Sequence, residues 1–253
     1  MTPHKTLPIL TWHSIDENGS VISTAPSLFR KQIEFLKKEG FQMLSISEIL
    51  DSIGNGTPLP EKAIAITFDD GYYNIYSEAF PILKRYGCKC TIFLVTDYCG
   101  KNSDWSGKKS GTNMDPLLSW KEIEEMSDWG MEFGAHTATH PDLTRLPVQE
   151  AEKEIRQSRL AIQNHLDKEP VVFAYPYGKF NAEVKELVRQ QFRAACTTIL
   201  GSNINYHDPY ALERIDMYYL SRERVYRSLT SRTLLNYLKV RQFFRDVKAF
   251  FER

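Results

Sequence analysis

Ala63-Ile-Ala-Ile-Thr-Phe-Asp-Asp-Gly71 shows the unit from which the chain is built. Its first six residues, Ala63–Phe68, are apolar or β-branched and read as a buried strand. The two carboxylates and the glycine read as the turn that ends it. A helical pattern follows from about Asn74 to Tyr86 and stops at Gly87. The same unit recurs along the chain. Pro8–Trp12 reads as a strand and Ser27–Glu39 as a helix with Phe29, Ile33, Phe35 and Leu36 toward a core. Lys89–Val95, Met131–Ala135, Val171–Ala174, Arg193–Thr197 and Leu212–Ile215 read as further strands. Trp120–Trp129, Val148–Leu166 and Ala182–Gln191 read as helices between them. Strands alternating with helices predict a parallel sheet. No glycine-rich phosphate turn follows the first strand, so a closed barrel is preferred to an open nucleotide-binding sheet.

A chain of 253 residues with 42% hydrophobic and 25% charged residues suits one large globular α/β domain and argues against disorder. The formal net charge is zero, yet it is unevenly spread. From Ser221 to Arg253 nine basic residues face three acidic ones, so this tail carries +6 and the body −6. The expected division is a barrel domain over 1–220 and a basic amphipathic helical tail over 221–253. From Lys239 to Glu252, helical spacing puts Val240, Phe243, Phe244, Val247, Phe250 and Phe251 on one face, with Lys239, Arg241, Arg245 and Lys248 outside it. That face is expected to pack on the acidic barrel or on a twin subunit, or else to rest on an anionic membrane surface. Cys88, Cys90, Cys99 and Cys196 form no paired C-x-x-C units and read as buried or half-buried thiols in a reducing compartment. The N-terminus reads as no secretion signal and no apolar run is long enough to span a membrane. The expected location is therefore cytoplasmic, peripheral at the inner face of the membrane if the tail binds there. No nucleic-acid partner is expected.

The residues capable of catalysis stand at strand ends. His13 follows the first strand, Asp69 and Asp70 the strand of the opening motif, and His136 with His140 the strand ending near Ala135. Tyr175-Pro176-Tyr177-Gly178 follows Ala174, and Arg214 and Asp216 close the last strand. In a parallel barrel all these ends share one rim, where active sites are built. His136 and His140, four apart, would point the same way on a helical turn and suit a divalent transition metal; two histidines on an ordinary surface turn are the alternative. Thr137 stands where the zinc-protease helix has its glutamate, so this is not that motif. Asp69 and Asp70 read either as a helix cap with a turn aspartate or as two carboxylates whose repulsion a cation offsets. One carboxylate with two histidines makes a site with positions open for water, as hydrolytic metal chemistry requires, and leaves the other carboxylate free to act as base.

Thr67-Phe-Asp-Asp-Gly71, His136-x-x-x-His140 and Tyr175-Pro-Tyr-Gly178, in that order, closely resemble the polysaccharide deacetylases of carbohydrate esterase family 4, the NodB-homology family. The resemblance covers roughly Ile9 to Ile215. It implies a distorted (β/α) barrel and metal-dependent removal of N-acetyl groups from amino sugars. It implies Asp69 as the catalytic base and Asp70, His136 and His140 as ligands of one divalent metal, zinc first. The Tyr177 amide is implied in the oxyanion hole, with Tyr175 and Pro176 beside the substrate. Many members carry an arginine at the position of Ala174 that orients the base, and it is missing here; Arg214 is a candidate for that role, against a plain surface or structural ion pair. Many members also place a general-acid histidine in a Leu-x-His segment near the C-terminus. His207 does not sit in such a segment. Ile9-Leu-Thr-Trp-His13-Ser-Ile15 resembles the permuted form of that motif found in the poly-N-acetylglucosamine deacetylases of biofilm systems, which implies His13 as the acid.

The expected partner is an N-acetylated amino sugar, polymeric or lipid-linked, in the biosynthesis of a cell-surface glycan. A deformylase or other amidohydrolase acting on a lipid-linked amino sugar, and a catalytically weak sugar-binding homologue, are the rival readings. Trp12, Tyr175, Tyr177, Trp105 and Trp120 are candidates for stacking on sugar rings. The polar stretch Thr96–Leu118 reads as a long loop that shapes the groove.

Overall fold

The structure, a computed structural model, describes residues 6–105, 115–204, 208–229 and 231–251. The strands are β1 (Thr6–Leu7), β2 (Ile9–Trp12), β3 (Gln42–Leu44), β4 (Ala63–Phe68), β5 (Thr91–Leu94), β6 (Glu132–Ala135), β7 (Val172–Ala174), β8 (Ala194–Leu200), β9 (Asn203–Ile204) and β10 (Leu212–Asp216). The α-helices are α1 (Pro26–Lys38), α2 (Ile46–Gly54), α3 (Phe80–Tyr86), α4 (Trp120–Trp129), α5 (Val148–Leu166), α6 (Ala182–Arg189), α7 (Glu223–Tyr226) and α8 (Arg232–Phe251). A π-helical stretch, Ile75–Ala79, leads into α3.

Seven parallel strands close a ring in the order β2-β10-β8-β7-β6-β5-β4 and back to β2. This is the expected distorted (β/α) barrel. The distortion is local. On one edge of β4, β3 pairs with Ala63–Ala65 and β5 with Thr67–Phe68, so two strands share that edge. β1 and β9 form a small antiparallel pair.

Strand alternation divides the core in two. Ile9, Ala63, Ala65, Phe93, Val172, Ala174, Ala194, Cys196 and Leu212 pack together in one cluster. Their sequence neighbours Leu10, Ile64, Ile66, Phe68, Ile92, Phe173 and Ala195 pack in the other, with the helices. This period of two is what a pleated strand imposes. The inner cluster is rich in Ala, with Cys196 among its small residues. Gly134 belongs to the same tight interior: a Cβ there would come within 2.7 Å of the Phe93 ring. Small residues let seven strands close without overpacking. Outside, Trp12 meets Phe29 edge-on at 5.3 Å and stacks on Phe68, and its Nε1 donates to Gln32. Trp12 is therefore core, not a sugar platform. Trp120 stacks on His165 and also has a structural role.

Several elements were not expected from the sequence, among them β3 and α2 beside the short β1, β9 and α7. β3 is three residues long and its pattern is too short to read; α2 starts with a capping box, Ser45 with Glu48. Neither alters the barrel order. The tail differs more. Tyr226, Leu229, Leu234 and Leu238 are buried in the same cluster as the outer barrel wall, so the division after residue 220 marks a new element and not a separately packed unit. On α8 the docked side carries Leu234, Leu238, Gln242 and Arg245: Gln242 accepts from Leu200 N, and Arg245 donates to Thr198 O. Val240, Phe243, Phe244 and Val247 are exposed. The expected packing of that apolar face on the barrel is thus corrected. Lys248, Phe250 and Phe251 have side chains outside the description, and His207 lies outside the described residues. Among those described, the four cysteines are free, and no helix is long and apolar enough to cross a membrane.

Candidate metal centre and its catalytic groups

The inward parity of the strands runs on into the rim. Asp69 continues Ala63, Ala65 and Thr67; His136 continues Gly134; Arg214 continues Leu212; His13 continues Ile9 and Thr11. Residues far apart in the chain thus meet over the barrel mouth. His13, Asp69, Asp70, Tyr72, Trp105, His136, His140, Tyr175, Tyr177 and Thr198 line one cavity of about 300 Å³.

Asp70, His136 and His140 come together, with Asp70 Oδ1 3.5 Å from His136 Nε2 and 3.4 Å from His140 Nε2, and the two Nε2 atoms 3.2 Å apart. Four ligands set tetrahedrally around a zinc-sized ion at its usual bond lengths stand about 3.4 Å from one another. The three donors therefore fit a small divalent cation. The chemistry fits too. His136 Nδ1 hydrogen-bonds to Ala174 O at 2.7 Å, which turns Nε2 toward Asp70. The segment between the histidines is not the expected helical turn. Thr137 and His140 both have positive φ, His140 N donates to Thr137 Oγ1, and the backbone doubles back to bring the rings together.

Asp70 itself has φ of 70°, which swings its side chain away from Asp69 although the two are adjacent. The pair splits. Asp69 is gripped by Arg214, Nη1 to Oδ1 at 2.7 Å and Nη2 to Oδ2 at 2.6 Å, a bidentate pair with Arg214 1% exposed. Arg214 Nε donates to Thr197 O, which fixes the guanidinium plane. The alternative of a surface ion pair for Arg214 is excluded. An arginine from β10 holds Asp69 although Ala174 on β7 lacks one. His13 Nε2 lies 3.8 Å from Asp69 Oδ2. Its segment is pinned by Asn74, which accepts from Ile15 N and donates to Ser14 Oγ.

The charges follow from these contacts. Burial pushes the Asp69 carboxyl up, but the Arg214 guanidinium, with His136 and His13, outweighs it and holds Asp69 below the usual carboxylate range. Burial opposes ionisation of Asp70 as well, and the histidines around it outweigh that and hold it below the usual carboxylate range. Burial and the neighbouring His136 lower His140 to about 4, so it stands neutral, as a ligand must. Burial works against charging His136 too, but Asp70 and Asp69 raise it on balance.

Two supports carried no readable signal. Glu154 on α5 accepts from Ala138 N and Thr139 N at 3.0 and 2.8 Å and from Thr139 Oγ1, cradling the histidine turn. It is one acid among several on a polar helix face. Asp216, named only as a strand end, lies close enough to His13 for that charge to oppose the rise that burial imposes on its carboxyl. Of the proposed aromatic platforms, Trp105 and Tyr177 flank His140 at 5.1 and 4.7 Å, and Tyr177 is half exposed. Tyr175 is buried and donates to Tyr210 O, and Pro176 is buried beneath it in the turn. Tyr177 has φ of 59°, and a Cβ on Gly178 would collide with Thr198. The long loop lines the mouth through Ser103, Trp105 and Asp115; residues 106–114 lie outside the described part.

The sequence matches the family model described as polysaccharide deacetylase over residues 56–194. It is 30% identical to YxkH of Bacillus subtilis strain 168, whose name assigns it to the polysaccharide deacetylases, over 83% of this chain and 70% of that protein. It is 25% identical to the poly-beta-1,6-N-acetyl-D-glucosamine N-deacetylase of Escherichia coli K12 over 75% of this chain, and spans about a third of that enzyme (34%). The fold is similar to the Streptococcus pyogenes deacetylase PplD, solved in complex with acetate, at a TM-score of 0.73 and 27% identity over 84% of this chain and 92% of that one.

Proposed function

The chain belongs to the polysaccharide deacetylase family, and on that premise we propose that it hydrolyses N-acetyl groups from amino-sugar residues of a glycan. The observation that carries this reading is the division of two adjacent carboxylates. Asp69 is held by Arg214 beside His13, while Asp70 faces the two histidines. A spectator pair would have no reason to split its partners in this way.

A divalent metal, zinc first, held by Asp70, His136 and His140, would polarise the amide carbonyl and lower the pKa of a water. Asp69, ionised and fixed in plane by Arg214, takes the proton from the attacking water. The Tyr177 N–H, presented by its left-handed backbone, stabilises the oxygen on which negative charge develops. His13, on the other side of Asp69, delivers a proton to the departing amine, so acetate and a free amino sugar are released. Trp105 and Tyr177 offer ring faces at the mouth on which a sugar can stack.

A β-1,6-linked N-acetylglucosamine oligomer is the first substrate to try, because it is what the relative from Escherichia coli is named for. The test is acetate release from it and from other acetylated hexosamine oligomers, with and without chelator. Acetate release stopped by chelator and restored by zinc supports the reading. Formate release from a formylated amino sugar in place of acetate, or binding with no turnover, overturns it.

A further inference from the structure

The C-terminal helix presents two unlike faces. Leu234, Leu238, Gln242 and Arg245 hold it to the barrel. On the opposite face Val240 is 55% exposed, Phe243 63%, Phe244 63% and Val247 37%. Four large apolar residues on one helical stripe form a patch that water alone would not favour. Lys239 and Arg241 are exposed on either side of it. Arg241 lies over the rings of Tyr219 and Tyr237, at 4.9 and 5.4 Å, and Tyr219 meets the exposed ring of Tyr218. The helix carries five basic residues against the single acid Asp246.

We propose that this face of α8 beds into the surface of an anionic phospholipid bilayer. Apolar rings between basic flanks, with tyrosines at the border, match the layering of that surface: acyl chains below, phosphates and interfacial rings above. A second copy of the chain is a poorer occupant. Pairing this face with itself brings Lys239 and Arg241 against their own counterparts, with only Asp246 to offset them.

The placement has a consequence for the catalytic mouth. Arg245, on the docked side, donates to Thr198 O and Oγ1, and Thr198 lines the catalytic cavity and donates to Tyr177 O. One helix thus stands between the lipid surface and the rim, so the bilayer would hold the catalytic mouth close to its surface.

The experiment is co-sedimentation of the full chain with vesicles of phosphatidylcholine alone and of phosphatidylcholine with phosphatidylglycerol. Binding should be confined to the anionic vesicles and weaken with salt. Phe243→Ser with Phe244→Ser should weaken it about tenfold or more, and Lys239→Gln with Arg241→Gln by about tenfold. Circular dichroism and hydrolysis of a soluble acetylated oligomer should be unchanged in both variants, since none of these residues touches the cavity. No binding to anionic vesicles, or binding that survives the phenylalanine variant, overturns the proposal. So does a concentration-dependent dimer in sedimentation velocity that the phenylalanine variant dissolves, if vesicles are not bound.

Discussion

At the rim, Asp69 is clasped by a guanidinium and Asp70 faces two imidazoles. At the other end of the barrel, Glu132, the first residue of β6, accepts from Ile46 N and Ser47 N at 3.0 and 3.1 Å and from the Thr91 hydroxyl. There the carboxyl caps α2 where that helix fills the gap between β3 and β5. Burial pushes Glu132 above the usual carboxylate range, and its neutral donors only partly offset this. Asp69 is held below that range chiefly by the Arg214 guanidinium, and Asp70 by the histidines it faces. The backbone differs as well. Among the described residues five non-glycine residues have positive φ: Asp70, Thr137, His140 and Tyr177 are at the rim, and only Asp167, ending α5, is elsewhere. Each costs on the order of 1 kcal/mol. These enclosed carboxylates therefore separate into two kinds: one whose oxygens are spent on neutral donors, and one kept charged beside a strained opening.

The largest effect should come from the ligand side of the rim. Asp70→Ala or His140→Ala should lose the bound metal, seen by elemental analysis, and reduce turnover by on the order of 10⁴-fold or more. Its neighbour should behave differently. Asp69→Asn should cut acetate release by about 10²–10⁴-fold while metal content stays at the level of the unaltered protein. Metal loss from Asp69→Asn would erase the distinction between the two carboxylates.

Arg214 tests what keeps Asp69 charged. The folded Asp69 titrates below its ordinary value, so the stability its pair contributes is full above the ordinary carboxylate range and is lost as pH falls through the lowered value. In Arg214→Gln burial remains without its main opponent, so the Asp69 carboxyl rises. The acid limb of kcat/KM should move to higher pH, with a rate loss of about 10–100-fold. Arg214→Lys keeps the charge and loses the fork, and should lower the rate with a smaller displacement of that limb. An unmoved acid limb in Arg214→Gln would separate the arginine from the base.

The smallest effect belongs to the other end. Glu132→Ala leaves two N–H groups of α2 without their acceptor and should cost about 1–3 kcal/mol in urea unfolding, with turnover per folded molecule unchanged. Because the folded Glu132 is raised, its titration adds stability below the ordinary glutamate value and gives it up as pH rises through the raised one. The difference from the unaltered protein should therefore be widest in acid. A loss of turnover in this variant would join the two ends.

Much of the barrel and the centre can be read locally. Ala63–Phe68, Trp120–Trp129 and Val148–Leu166 have the limits their patterns suggest, because a six-residue apolar run or a helix ended by glycine is specified by its own residues. Asp69, Asp70, His136, His140 and His13 could be named because each stands within a few residues of a strand end, and parallel strands deliver their ends to one rim. Arg214 could be named as a candidate partner for Asp69 but not set above a plain ion pair: the two are 145 positions apart, and no local pattern encodes that reach. Glu154 was illegible for the same reason, since its acceptors are used only once α5 lies under the histidine turn.

By itself, then, the sequence determined the alternation of strand and helix, the chemical identity of the rim and the bifacial character of the last helix, since all three rest on residues close in the chain. Tertiary structure alone decided that β10 supplies the arginine β7 lacks, that a doubled-back turn and not a helix presents the two histidines, and that α8 docks through Leu234 and Leu238 with its phenylalanines outward. The physical reason is common to all of these. Helical or strand periodicity says which residues share a face, but which of two faces is buried, and which charge meets which, depends on the neighbour that closure of the barrel brings against it.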